Sequence, residues 1–217
     1  HGALEHFSMQ ATLMSEYVVK DYADVSKSFA ESGLNFVFTG HFHAQDIAKQ
    51  TFGNSYLFDI ETGSTVTYPT PYRRIKFDSE KMAIKTHHVN LQNEKTQNMP
   101  LVDYAYLQLE KGTPSFSAYL INEAVNRGYL DKSMSGLIKI MIKSYYPLLT
   151  EVYTNHLKGD EKGLSKENQE LLDNLKKTVG TFKPDFAPYL DAIDPILIDS
   201  QPADNDLTIY FSDGRTE

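Results

Sequence analysis

The sequence predicts an α+β protein in which a sheet-forming half precedes an all-helical domain. Between residues 35 and 91, short runs of β-branched and aromatic residues are separated by turn signals. Between residues 101 and 197, Leu, Ile, Tyr and Phe recur at three- and four-residue steps, which is typical of amphipathic helices. Residues 204–214 alternate apolar and polar side chains, as a single strand does. A lone strand is not stable in water, so we expect it to return to the sheet of the first half.

The first half is expected to open with a helix and a buried strand. Residues 15–34 have apolar positions at helical spacing and end at Gly33, a good C-cap. The apolar run at 35–40 predicts a buried strand, and the polar run at 43–49 predicts a loop. Three further runs are expected to form a β-meander, namely 56–62, 64–78 and 82–91.

A change of composition predicts the domain boundary. The segment 93–100 is polar and closes on a proline, which is typical of a linker. We therefore expect a sheet-forming domain over 1–95, a helical domain over 96–200, and a returning strand with a tail over 201–217.

Composition excludes several classes of function. Lys and Arg number 21 against 29 Asp and Glu, a net charge of −8, which disfavours a nucleic-acid polymer as partner. Cysteine is absent, so thiolate metal sites, disulfides and a cysteine nucleophile are excluded. No apolar run reaches 18 residues, so no membrane span is expected. The lack of cysteine suits a secreted or cell-envelope bacterial protein, with the cytoplasm as the alternative.

One group among the seven histidines has a spacing with chemical meaning. His41 and His43 follow Gly40 directly after the predicted strand, two residues apart, so both imidazoles can reach one side of an extended turn. Ligands of open α/β sheets bind beyond the carboxyl ends of strands, which is where this motif lies. The alternative is a strand end that carries two exposed polar histidines.

The run FVFTGHFHAQDI at 36–47 resembles the G-H-x-H block of the calcineurin-like metallophosphoesterases, and residues 58–78 are similar to the strands that follow it. His1-Gly2 followed by Glu-His-Phe is similar to the stretch after the lone-histidine block of that family. The resemblance covers residues 1–91 and implies the C-terminal half of the family's β-sandwich/αβ fold. It implies that His41 and His43 bind separate metal ions, with His1 as a third candidate ligand.

The resemblance also implies a reaction and a substrate site. The expected cofactors are two divalent ions, Mn, Fe or Zn, and the expected substrate is a phosphomonoester or phosphodiester. His6, Tyr72 and Arg73 are candidates to contact that substrate. A polar loop role is the alternative for His6, and a solvated edge with tyrosines packed on prolines is the alternative for Tyr72 and Arg73.

The family's D-x-H, G-D-x-x-D and G-N-H blocks do not occur in the sequence. We therefore expect this chain to be the C-terminal fragment of such an enzyme, with weak metal binding and no substantial turnover by itself. The missing N-terminal half of the same protein is the expected partner, and a homo-oligomer is a further possibility. The competing class is a noncatalytic interaction module built around the tyrosine-rich helical domain.

Overall fold

The computed structural model describes residues 1–7, 10–89, 93, 95–159, 163–182 and 202–217. It is a mixed α+β structure, as the sequence predicts. Its strands are β1 Phe36–Thr39, β2 Asp46–Phe52, β3 Ser55–Glu61, β4 Pro71–Phe77, β5 Lys81–His88, β6 Lys95–Thr96, β7 Met99–Pro100 and β8 Leu207–Tyr210. Its helices are α1 Gln10–Leu13, α2 Tyr22–Glu31, α3 Leu101–Asn126, α4 Lys132–Met141, α5 Tyr146–Lys158 and α6 Lys166–Phe182, with short 3-10 turns at Ser15–Tyr17 and Ile142–Tyr145.

The first sheet has the order β1-β3-β2. The central strand β3 runs parallel to β1 and antiparallel to β2, and a two-residue turn with Gly53 at φ +61° joins β2 to β3. The expectation of a loop over 43–49 is therefore wrong from Asp46 onward. The middle of β2 is polar because β2 is an edge strand with a solvent-facing stretch, so the run lacks the apolar pattern of a buried strand.

The second sheet has the order β4-β5-β8 and is antiparallel throughout. The pairing of β8 with β5 confirms that the C-terminal strand returns to the first half of the chain. The expected meander over 56–91 is wrong, because β3 belongs to the other sheet and only β4 and β5 form the hairpin. Alternation within each run does not reveal which strands pair, and that choice depends on which faces are covered.

The two sheets pack face to face around one apolar core. Its buried members are Ile47, Tyr56, Phe58, Ile60, Met82, Ile84, Leu207 and Ile209. The opposite face of the first sheet is covered in turn, since Leu57 packs on Ala3, Leu4 and Ala30 of the N-terminal segment and α2. Strand β3 is thus buried on both faces, which accounts for its consecutive apolar residues Tyr56, Leu57 and Phe58. The predicted strand over 35–40 is less buried than expected, because β1 lies at an edge and 55% of Phe38 is exposed.

The start of the chain differs in part from the predicted single helix over 15–34. The 3-10 turn comes first, Asp21 adopts φ +56°, and α2 follows as a ten-residue helix. Gly33, at φ +86°, lies just past the end of that helix, in the left-handed conformation that glycine tolerates best. Only the second half of the predicted helix, which forms α2, therefore packs against the first sheet.

The helices of the C-terminal half pack on one another, with Leu148 and Leu172 buried at their core. Helix is expected up to residue 197; α6 covers Lys166–Phe182, and the part of that prediction at 183–197 lies outside the described residues. The end of α5 rests on the first sheet: Gln45 N donates to His156 O at 3.0 Å, and Gly159, at φ +59°, ends the helix against Gln45. Among the described residues, no helix combines the length and the apolar character needed to cross a membrane.

Candidate functional site

The histidine turn, residues 40–43, follows the carboxyl end of β1. His41 adopts φ +77° and His43 φ +68°, a left-handed backbone that non-glycine residues seldom adopt. Each such residue costs about 1–3 kcal/mol and persists only where its surroundings hold it. The turn is held through Phe42, whose N–H donates to Gly40 O at 3.0 Å and to Glu61 Oε1 at 3.1 Å. Strain stored in two neighbouring histidines marks this turn as a candidate site.

The structure brings His1 to the histidine turn from 40 residues away in the sequence. The His1 and His41 ring centroids lie 4.7 Å apart, and the Tyr17 ring lies 5.0 Å from His41 on the same turn. The N-terminal segment is fixed by a bridge to Val18, in which Gly2 N donates to Tyr17 O at 2.9 Å. Two of the predicted metal ligands are therefore neighbours in space.

The electrostatic environment of His43 favours its neutral form. Burial lowers the pKa of His43, and the nearby His41 lowers it further. A neutral imidazole is the form that binds a metal ion. His43 therefore does not need to lose a proton before it can act as a ligand near neutral pH.

Three imidazoles do not by themselves complete a metal centre. Among the described residues, no group of three or more His, Cys, Asp or Glu side chains is arranged to hold a metal ion. His1, His41 and His43 thus lack the convergent donors that a dinuclear site requires. The donor set of this chain alone does not fit the two ions that the sequence resemblance implies.

A buried group of titratable side chains lies behind the histidine turn. We call it the His6 cluster, and it consists of His6, Asp46, Asp59 and Glu61. His6 Nδ1 contacts the Asp46 carboxylate, and His6 Nε2 lies 3.3 Å from Asp59 Oδ2 and 3.6 Å from Glu61 Oε2. All four residues are less than one-tenth exposed.

Within the His6 cluster, opposite charges stabilise the ionised forms of His6 and Asp59, whereas like charges oppose the ionisation of Glu61. Burial works against the charged form of His6, but Asp46 and Asp59 outweigh it and raise the pKa of His6 well above its usual value. Burial likewise opposes ionisation of Asp59, but His6 and the hydroxyl of Thr39 hold the pKa of Asp59 low. Burial together with the charges of Asp46 and Asp59 raises the pKa of Glu61 to about 7, against the opposing effect of His6. Glu61 is the member that titrates near neutrality.

Asp59 and Glu61 connect the cluster to the predicted ligands. Asp59 Oδ2 accepts from Ala3 N at 2.5 Å and Leu4 N at 2.9 Å, which fixes the segment that carries His1. Glu61 accepts from Phe42 N inside the histidine turn. The two carboxylates are two residues apart in β3 and so lie on the same face of the sheet. The sequence does contain a signal for this role, because Asp59 and Glu61 are acidic residues in a mainly apolar strand. They were not assigned to the site from the sequence.

The residues predicted to contact substrate lie apart from one another. The His6 side chain is wholly buried in its cluster, so it has no surface to offer a substrate. Arg73 is also largely buried, and its guanidinium donates to Asp204 O at 2.5 Å and Glu61 O at 2.8 Å, which joins the two sheets. Tyr72 is exposed on β4, where its ring stacks on His87 at 5.4 Å. These positions favour structural roles for His6 and Arg73 over phosphate binding.

Comparison with known proteins adds no assignment. No protein-family model matches the chain, and no curated protein matches it.

Proposed function

We propose that this chain is the C-terminal part of a dinuclear metal-dependent phosphoesterase that hydrolyses phosphomonoesters or phosphodiesters. The observation that carries the proposal is the histidine turn. Its two histidines lie beyond the carboxyl end of β1 in left-handed backbone conformations, next to His1. Backbone strain of this kind concentrates at functional sites, where the surrounding structure maintains it.

In this proposal His41 and His43 are ligands of separate divalent ions, Mn, Fe or Zn, and His1 is a third candidate ligand. The proposal assigns the bridging and acidic ligands to the N-terminal part of such an enzyme; among the described residues, no group of three or more His, Cys, Asp or Glu side chains is arranged to hold a metal ion. Weak metal binding and no substantial turnover are expected for the 217-residue chain by itself.

The buried carboxylates act as positioning residues. Asp59 holds the backbone of the segment that carries His1, and Glu61 holds the N–H of Phe42 between the two other histidines. Hydrogen-bonded partners behind metal ligands commonly orient them and contribute ten- to hundredfold to metal affinity. Here the same contribution is made through the backbone, since both carboxylates accept from main-chain N–H groups.

Zn²⁺ titration calorimetry on matched histidine variants tests the proposal. The test variant is His41→Ala/His43→Ala, and the control is His87→Ala/His88→Ala, which removes two histidines from β5. We expect the wild-type chain and the control to bind Zn²⁺ weakly with equal affinity, and the test variant to lose that binding. Equal binding by both double variants would contradict the assignment of His41 and His43 as ligands.

A hydrolysis assay tests whether this chain has a working active site by itself. With Mn²⁺ and a generic aryl phosphodiester, we expect no turnover above that of the His41→Ala/His43→Ala variant. Turnover that this variant abolishes would mean that a working site exists without ligands from elsewhere.

A noncatalytic interaction module is the competing proposal, and one observation favours it. Helix α4 exposes Leu137, Ile140 and Met141, which are 52%, 66% and 44% accessible. Apolar side chains grouped on one surface often mark a protein interface. Under this alternative, replacing these three residues with serine abolishes partner binding, and removing His41 and His43 leaves it intact.

A further inference from the structure

A cavity of about 520 Å³ lies between the helical half and the histidine turn. Its wall is almost wholly apolar and includes Phe7, Phe42, Phe116, Leu148 and Leu172. It lies within the size range of pockets that hold small organic molecules. The helical half contributes most of the wall, and Phe7, Met14, Phe42 and Ala44 close it on the side of the histidine turn.

Several polar side chains at the cavity are already engaged with other protein groups. The hydroxyls of Thr113 and Thr150 bond to each other at 3.0 Å, and Thr113 also donates to Leu109 O at 3.2 Å. Arg127 directs its guanidinium to Glu16 at 2.7 Å. Polar atoms make up only a small part of the wall, so a hydrocarbon would lose little by entering the cavity.

The cavity and the histidine turn share a residue. Phe42, which lines the cavity, stands between His41 and His43 in the chain. Its ring lies 5.5 Å from Phe7 on the cavity side, and 5.1 Å from Tyr17, whose ring lies 5.0 Å from His41. One aromatic ring, that of Tyr17, thus bridges Phe42 of the apolar wall and the proposed metal ligand His41.

We propose that this cavity holds the hydrocarbon chain of an amphiphilic phosphoester whose phosphate lies at the histidine turn. This inference rests on the proposed phosphoesterase function and narrows its substrate class to phosphoesters with a single long alkyl chain. Affinity should then rise with chain length, because each buried methylene strengthens binding about fourfold until the cavity is filled.

The experiment is a calorimetric titration of the 217-residue chain with octyl, decyl and dodecyl phosphate below their micellar concentrations. The test variant is Gly112→Phe, in which the new side chain starts from a cavity-lining position of α3 that has no atom within 4 Å of an added Cβ. The matched control is Gly136→Phe, on α4, where a Cβ likewise meets no atom within 4 Å. Thermal unfolding of both variants verifies that each is folded.

We expect the wild type and Gly136→Phe to bind dodecyl phosphate more than tenfold more tightly than they bind octyl phosphate. We expect Gly112→Phe to bind dodecyl phosphate at least tenfold more weakly than the wild type does. Absence of binding to the wild type, absence of a chain-length effect, or equal loss in both variants would overturn the inference. The Zn²⁺ titration separates the two proposals. Zn²⁺ binding without a chain-length effect leaves the phosphoesterase proposal standing and rejects the cavity. A chain-length effect without Zn²⁺ binding at His41 and His43 leaves an apolar binding site and rejects the phosphoesterase function on which the substrate assignment rests.

Discussion

Replacing Glu61 with Gln should change how the stability of the protein depends on pH. Glu61 is about 1% exposed in the structure, and its pKa is raised from 4.5 to about 7 by burial and by the charges of Asp46 and Asp59, against the opposing effect of His6. Between these two pH values the unfolded chain releases a proton that the folded protein retains. The free energy of unfolding of the wild type therefore falls as the pH rises from 4.5 through 7.

The size of the effect follows from the two pKa values. A pKa raised from 4.5 to about 7 corresponds to about 3 kcal/mol of lost stability above pH 7. Glutamine carries no charge, and its amide oxygen still accepts from Phe42 N, so the variant escapes this loss and keeps the hydrogen bond. Relative to the wild type, Glu61→Gln should gain about 3 kcal/mol, or about 6–12 °C in melting temperature, between pH 4.5 and pH 8.5.

The assay is thermal or urea unfolding of both proteins at pH 4.5 and pH 8.5. The pKa of His6 is raised as well, so its contribution to the free energy of unfolding is present below its ordinary pKa and is lost as the pH rises. Both proteins retain His6, so this contribution is common to them. Glu31→Gln is the matched control, because Glu31 is 58% exposed and lies 3.9 Å from Lys27 on α2. We expect that control to follow the wild type at both pH values. If the difference in free energy of unfolding between Glu61→Gln and the wild type is the same at both pH values, the conclusion that burial and neighbouring charges raise the pKa of Glu61 is wrong.

Two substitutions test how the halves of the fold are joined. Gly159→Ala should destabilise the protein by more than the roughly 1 kcal/mol that alanine costs in a left-handed conformation, because the added Cβ would stand 2.3 Å from Gln45 O. Gly33→Ala is the control, because open space around Gly33 leaves only the backbone cost. Equal losses of unfolding free energy in urea titrations of the two variants would contradict the close docking of α5 on the sheet. Arg73→Met should cost about 3 kcal/mol in the same titrations, because it removes a buried guanidinium that donates to main-chain carbonyls of the first sheet, whereas the exposed Arg74→Met should cost under 1 kcal/mol. Similar losses in the two arginine variants would mean that Arg73 does not join the sheets.

Much of the fold class could be predicted from local pattern. The apolar runs that become β1 and β3, the helical spacing after residue 101 and the returning strand β8 are all visible in the sequence. Each depends on near neighbours in the chain, so its signal is local. The pairing of strands was not visible in this way. Strand β2 has a polar stretch because it lies at an edge, and β4 and β5 leave β3 for a separate sheet.

The candidate site likewise has some features that are local in the sequence and others that depend on long-range contacts. That His41 and His43 follow a strand, two residues apart, could be read from the sequence alone, because the motif and the end of the strand are contiguous in the chain. Only the tertiary structure placed His1 beside His41 and enclosed His6 among three carboxylates. Those contacts join residues 40 or more positions apart, and burial by distant segments is what shifts the pKa of Glu61 and withdraws His6 from solvent. No local pattern carries that information, since it depends on how the N-terminal segment, the two sheets and the helices cover one another.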